Sequence, residues 1–348
     1  MVPLNSLPPE PGARPSKRAL RHTAFAALRL AAGVAILAYL AKSGIVTLGG
    51  LATLIIAWPV TLAAIAVFLA DILLMALRTS WLFRPLGMRL TVLRSMQLTL
   101  VSIFFSAFLP GAGGGDIVKL YYATKENEGR RTEVATVLVF DRAIGFFAML
   151  ILPFFFVPFF VPLIRTVPML RGILILIAYM AAGLLATFLL FAFNQSIRGF
   201  LARESLPVPQ WRKRACRVLE TISTYGRSPG TLLGALALSL IANFSVIAIT
   251  VLAVLALDPA SLASKMYLVI PIGHIVNGLP LTPGGLGVGE TAFNALFELT
   301  GLHGGAETLL CWRVWKAMVG LLGLVIYIRG MSRIVLASEP GSEEQLAS

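Results

Sequence analysis

Charge is what this sequence has least of. Only 13% of its 348 residues are Asp, Glu, Lys or Arg, while 57% are hydrophobic; soluble proteins run near 25% charged. One water-soluble core could not bury that much apolar surface, so a soluble globular protein is excluded. Cysteine is almost missing. Cys216 in a basic stretch and Cys311 in an apolar one form neither a disulfide framework nor a zinc pattern, and both read as packing residues. The three histidines, His22, His274 and His303, share no metal-ligand spacing, so no metal is expected. GAGGGD at 111–116 is not GxGxxG and follows no strand pattern, and the P-loop lysine motif and the GxSxG elbow are both absent. Dinucleotide binding, ATP hydrolysis and serine hydrolase chemistry therefore have no support, and no cofactor is expected.

Long apolar runs are what the sequence does have. Crossing the hydrocarbon takes about 20 apolar residues, and six runs qualify: 24–41, 52–77, 134–162, 172–193, 231–257 and 308–330. Two others, 96–109 and 266–281, meet Pro and Gly early, and each is followed by a second helix-like piece, 115–124 and 287–299. That length suits a segment that enters the membrane and turns back. The fold expected is an all-α integral membrane protein of six full transmembrane helices and two re-entrant hairpins, 96–124 and 266–299.

Loop charge fixes the sidedness. With the N-terminus cytoplasmic and both short pieces counted as hairpins, 20 Lys and Arg lie inside, Arg78 among them; four lie outside, Lys42, Arg165, Arg171 and Lys265. This is the positive-inside bias, and it explains the net charge of +13 without nucleic acid. The basic residues would face anionic inner-leaflet lipids, and 197–222 within the basic loop 194–230 reads as an amphipathic helix on that leaflet, with Trp211 as an anchor. Residues 1–21 and 336–348 read as cytoplasmic tails, and both termini as cytoplasmic. No signal-peptide cleavage site is evident in the first run.

The elements repeat. Span, span, hairpin, span covers 22–162, and the same series covers 163–335; three crossings are odd, so the second copy is inverted relative to the first. Local sequence matches in the corresponding places. Pro110, Gly111, Gly113, Gly114 and Gly115 lead to Asp116, and the next span carries Asp141 and Arg142; Pro283, Gly284, Gly285, Gly287 and Gly289 lead to Glu290, and the next span carries Arg313 and Lys316.

LPGAGGGDIVKLYY (109–122), VFDRAIGFF (139–147) and LPLTPGGLGVGE (279–290) resemble three stretches of the flippase-like membrane domain shared by lysylphosphatidylglycerol synthetase/flippases and their stand-alone relatives. The resemblance covers about 24–335 and implies a cofactor-free protein that moves polar lipids between leaflets. The bifunctional members continue into an aminoacyltransferase domain; this chain ends at Ser348, so no enzyme activity is expected. Family members often have Arg where Lys119 stands, and an ammonium binds phosphate as a point charge rather than as a fork.

A lipid translocator must lower the cost of carrying a headgroup through hydrocarbon. At each hairpin tip the return helix would present its N-terminus, with unsatisfied N–H groups, toward mid-bilayer. The tips are Pro110, Gly113, Gly114 and Gly115 in one copy and Pro283, Gly284, Gly285 and Gly287 in the other. Charges inside spans are expensive and normally meet a partner or a cavity. Arg142 and Arg313, aided by Lys119 and Lys316, are expected to hold a phosphate, while Asp116, Asp141 and Glu290 tune the site or meet a cationic part of the headgroup. Simpler roles also fit. Asp116 and Glu290 would cap the return helices; Asp141 with Arg142, or Arg313 with Glu290, would be locking ion pairs; Lys119, before Tyr121 and Tyr122, would snorkel to the interface. Asp71 would pair with Arg78, and His274 with Asn277 would be polar contacts in the cavity or bridges between helices.

The function expected is a lipid transporter of the bacterial inner membrane. Its substrate could be an aminoacylated phospholipid, a glycolipid, a polyprenyl phosphate or a hopanoid, and a homodimer stays open. The alternatives are a membrane-embedded enzyme acting on a lipid phosphate or polyprenyl carrier, or a non-transporting partner in a lipid-synthesis complex.

Overall fold

A computed structural model describes residues 56–106, 114–193, 210–279 and 287–331, all within the unit Gly49–Ser348. Among them regular structure is entirely helical, the form that satisfies every backbone group within one segment when water is absent. The helices are α1 (Trp58–Phe83), α2 (Val92–Ser106), α3 (Gly114–Glu126), α4 (Arg131–Phe156), α5 (Val161–Thr166), α6 (Pro168–Phe193), α7 (Gln210–Gly226), α8 (Pro229–Leu257), α9 (Met266–Gly278), α10 (Val288–Leu299) and α11 (Gly305–Ile326). Pro59, Pro168 and Pro229 sit in first turns, where the missing N–H has no intrahelical partner to lose.

Five described helices are long and apolar enough to cross a membrane: Trp58–Leu86, Arg131–Phe159, Pro168–Ala192, Pro229–Leu257 and Gly305–Arg329. They fall on five of the six expected spans. The run at 24–41, both tails, and the tip residues Pro110, Gly113, Pro283, Gly284 and Gly285 lie outside the described residues. One boundary moves with consequence: α1 continues to Phe83, and Arg78, expected in an inner loop, is a buried residue of the helix.

The two short pairs are antiparallel helical hairpins. In the first, Gly115 of α3 lies against Ser102 and Ser106 of α2. The open end is closed by an Arg94–Glu126 ion pair and by Asn127, which accepts from Arg89 N–H (3.2 Å) and donates to Arg89 O (3.3 Å). In the second, Gly289 of α10 lies against Asn277 of α9 and Gly273 against Phe293, and Lys265 donates to the carbonyls of Thr300 and Gly301 at the open end. None of these four helices exceeds 15 residues, at most roughly 23 Å of helix, short of the roughly 30 Å hydrocarbon.

Helices α1 and α8 pack along each other, Trp81 beside Gly234 and Arg78 beside Ser239, which makes them antiparallel. Small buried residues, Ala64 and Ala76 on α1 and Ala235, Ser239 and Ala242 on α8, suit association in lipid, where close approach replaces the hydrophobic effect. Helix α11 packs on α2, and α4 on α9.

Helix α7 overlaps the stretch 197–222 expected to be amphipathic, starting later, at Gln210, and ending later, at Gly226. Its apolar side rests on α6, α4 and α8. Tyr225 is fully buried, donates to Leu82 O at 2.6 Å and stacks on Phe140 with ring centroids 4.5 Å apart, so the helix is pinned to the protein. Cys216 is partly buried and Cys311 buried, and neither is in a disulfide.

Candidate functional site

Each return helix places an acid as its third residue, Asp116 in α3 and Glu290 in α10. Each acid meets the arginine of the long helix that follows: Asp116 pairs with Arg142 of α4, and Glu290 Oε1 lies 2.8 Å from Arg313 Nε of α11. Arg313 Nη2 donates to Asn277 Oδ1 at 2.7 Å, tying α11 to the entering limb of the second hairpin. Lys316, one turn further along α11, rests over Trp312 (5.0 Å to the centroid) and is within electrostatic reach of Arg313, Arg142 and Asp71. Arg142, Arg313 and Lys316 thereby form one cationic group contributed by both halves of the chain.

The two acid–arginine pairs differ in cover. The Arg142 and Asp116 side chains are 56% and 47% exposed, those of Arg313 and Glu290 14% and 15%. Asp116 and Arg142 are therefore the more accessible of the two pairs. Glu290 also accepts from Gly287 N–H at 2.8 Å, the capping role expected of it, and Gly287 holds φ +80°, a conformation only glycine adopts freely. Cap and ion-pair partner are thus one residue.

Lys119 and Asp141 go elsewhere. Asp141 is buried and faces Arg78, whose Nε donates to Oδ1 at 2.7 Å, with Thr79 Oγ1 3.2 Å from Oδ2. Arg78 Nη1 donates to Ser239 Oγ at 3.0 Å, and Lys119 Nζ to Thr79 Oγ1 at 3.2 Å. Gly145 makes room: a Cβ there would lie 2.7 Å from Arg78 Nη1. Three expectations are corrected. Asp141 does not pair with Arg142, because neighbours on a helix point about 100° apart. Asp71 does not pair with Arg78, whose guanidinium is already engaged. Lys119 does not snorkel, since two hydroxyl and carboxylate neighbours hold it in the interior. Sequence reasoning missed Thr79 and Ser239; α8 carries two serines, Ser239 and Ser245, and nothing in the sequence tells them apart.

His274 bridges helices, as one of the two expectations held: Nε2 is 2.8 Å from Thr250 Oγ1, and its ring meets Phe293 and Trp312, both with centroids 5.0 Å away. Among the described residues no three His, Cys, Asp or Glu gather as a metal site would require.

Compared with known families, residues 25–329 match the one described as "Lysylphosphatidylglycerol synthase TM region". The chain belongs to that family. No curated protein and no solved structure matches it. Membership and the five long apolar helices make it a multi-pass membrane protein, in a family of membrane regions concerned with lipid. The match spans both hairpins and both acid–arginine pairs, so the cationic group lies inside the family's shared region.

Gly289 ties the site to its scaffold. A Cβ on it would overlap Asn277 Oδ1 and approach Arg313 Nη2 to 2.9 Å, and such overpacking costs about 1–3 kcal/mol. Gly289→Ala is expected to lower the unfolding temperature in detergent, and Arg313→Ala/Gly289→Ala to lose less than the sum of the single changes. Strict additivity of the two would mean that Gly289 does not act through Arg313.

Proposed function

We propose that this protein moves an anionic, phosphate-bearing lipid between leaflets, unchanged, past two helical hairpins that enter the membrane from opposite faces. The observation that carries the reading is the repeated pairing: an acid third in each return helix, an arginine in each following long helix, and Lys316 within reach of both arginines. Arg142 stands 11 residues into a 26-residue helix, about 16 Å from its start and so near mid-bilayer. Charges at that depth need a wet cavity or a partner, and a guanidinium paired there with an accessible carboxylate suits a headgroup in transit.

The packing supports an inverted repeat. Exchanging the halves maps the antiparallel α1–α8 contact onto itself, hairpin α2–α3 onto α9–α10, α2–α11 onto α9–α4, and α3–α4 onto α10–α11. With the 24–41 run, the plan is six spans and two re-entrant hairpins, both termini cytoplasmic. In this plan cysteines introduced at 125–131 and at 258–265 label from opposite sides; labelling from one side would overturn the topology.

Labelled phosphatidylglycerol in proteoliposomes tests the function. Transport leaves the lipid mass unchanged while its leaflet changes. A changed mass would mean chemistry on the lipid and would establish the enzyme instead, and neither change would remove this lipid class as substrate.

A further inference from the structure

Asp71 stands 13 residues into α1, about 20 Å along it from Trp58 and far from either helix end. It is 7% exposed, and its Oδ1 makes no hydrogen bond. A carboxylate so placed costs several kcal/mol unless a cation neutralises it; otherwise it takes up a proton.

The neighbouring elements leave one group to do this. Arg78, two turns on along the same helix, is also within electrostatic reach of Asp71, but its guanidinium gives its hydrogen bonds to Asp141 and Ser239. Helix α8 has no ionisable residue over Pro229–Leu257. On α2 there is Arg94, held by Glu126. On α4, Asp141 faces Arg78 and Arg142 faces Asp116, while Arg131 and Glu133 lie at its first turn. On α11, Glu307 lies in the first turn and Arg313 faces Glu290. That leaves Lys316. The Phe68–Trp312 ring contact, with centroids 5.8 Å apart, fixes α1 against α11; Asp71 is one turn beyond Phe68, and Lys316 one turn beyond Trp312. The two charges are within electrostatic reach, yet among the described residues neither makes a direct ion pair. Lys316 also reaches Arg142 and Arg313, so an anion held by those arginines would add its charge to that of Asp71.

We propose that Asp71 is a proton-binding site coupled to the headgroup site through Lys316. With the headgroup site empty, the Asp71 carboxylate offsets the Lys316 ammonium. When a lipid phosphate takes Lys316, Asp71 loses its compensating charge and binds a proton from water; when the phosphate leaves, the proton is released. Such linkage is reciprocal. One negative phosphate with one proton is neutral, so transfer is driven by a pH gradient and not by membrane potential. The inference rests on the headgroup reading under Proposed function.

Calorimetry of the detergent-solubilised full chain with dihexanoyl phosphatidylglycerol, at mildly alkaline pH in two buffers of different ionisation enthalpy, tests it. The wild type is expected to take up close to one proton per lipid bound, with affinity falling up to tenfold per pH unit as pH rises. Asp71→Asn is expected to bind lipid with no proton exchange, and Asp71→Glu to restore it. Binding by the wild type without proton uptake would overturn the proton site and leave the headgroup site standing. Absence of binding would overturn both. The wild-type measurement decides even if Asp71→Asn does not fold, and transfer driven by a potassium diffusion potential alone would also sink the inference.

Discussion

Proteoliposomes carrying Arg313→Ala or Arg142→Ala are expected to transfer labelled anionic lipid roughly 10–100-fold more slowly than wild type, to similar extents in the two variants. The magnitude follows from the hydrogen bond that the guanidinium would give the phosphate: a hydrogen bond to a charged group is worth about 1.5–3 kcal/mol, and each 1.36 kcal/mol is about tenfold in rate. The similarity follows from the repeat. Each arginine faces the acid of its own hairpin, and in the proposed inverted arrangement a crossing headgroup passes both. Arg→Lys at either position should retain part of the rate, because charge survives while the planar fork does not. An effect at one arginine alone would point to one-sided chemistry and against transport. Unchanged transfer in a normally expressed variant would remove that arginine from the mechanism.

Much of this arrangement was legible in the sequence, for identifiable reasons. Run length separates spans from hairpins because bilayer thickness is fixed, and the short runs at 96–109 and 266–281 became α2 and α9 with ends shifted by a few residues. The matched order of glycine, acid and arginine gave the Glu290–Arg313 pair. What stayed hidden depends on azimuth and tertiary partner. Asp141 and Arg142 are adjacent in sequence, but one is buried and the other exposed. Arg78 looked like a loop charge because it closes an apolar run; only the Asp141 carboxylate arriving from α4 lets α1 keep it inside. Ser239 gives no sign in sequence that a guanidinium 161 residues away will find it.

The two hairpins also differ at corresponding positions. Three residues after Asp116 comes Lys119, and three after Glu290 comes Phe293. Lys119 belongs to the charged cluster of Arg78, Thr79 and Asp141, and Phe293 to the aromatic surround of His274. One half therefore holds its helices by buried charge and the other by ring packing. Shared geometry serves the acid–arginine pairs, while each core is solved separately.

That buried charge carries the second large prediction. Arg78 and Lys119 contribute two cations to the cluster, and Asp141 is their shared anion, both side chains of the Arg78–Asp141 pair being under 10% exposed. Asp141→Asn keeps the shape and an oxygen able to accept from Arg78, turns an amide NH2 toward Thr79 in place of the second oxygen, and leaves two cations in the interior with no counter-charge. Removing one partner of a buried pair costs about 3–5 kcal/mol, and that loss is expected in unfolding measurements in detergent. Arg78→Met should cost less, because Lys119 still balances Asp141 across Thr79. Asp141→Asn with Lys119→Met should recover part of the loss by taking one stranded cation away. If Arg78→Met proved the more damaging, its hydrogen bonds to Asp141 and Ser239, rather than charge balance, would be what holds α1, α4 and α8 together.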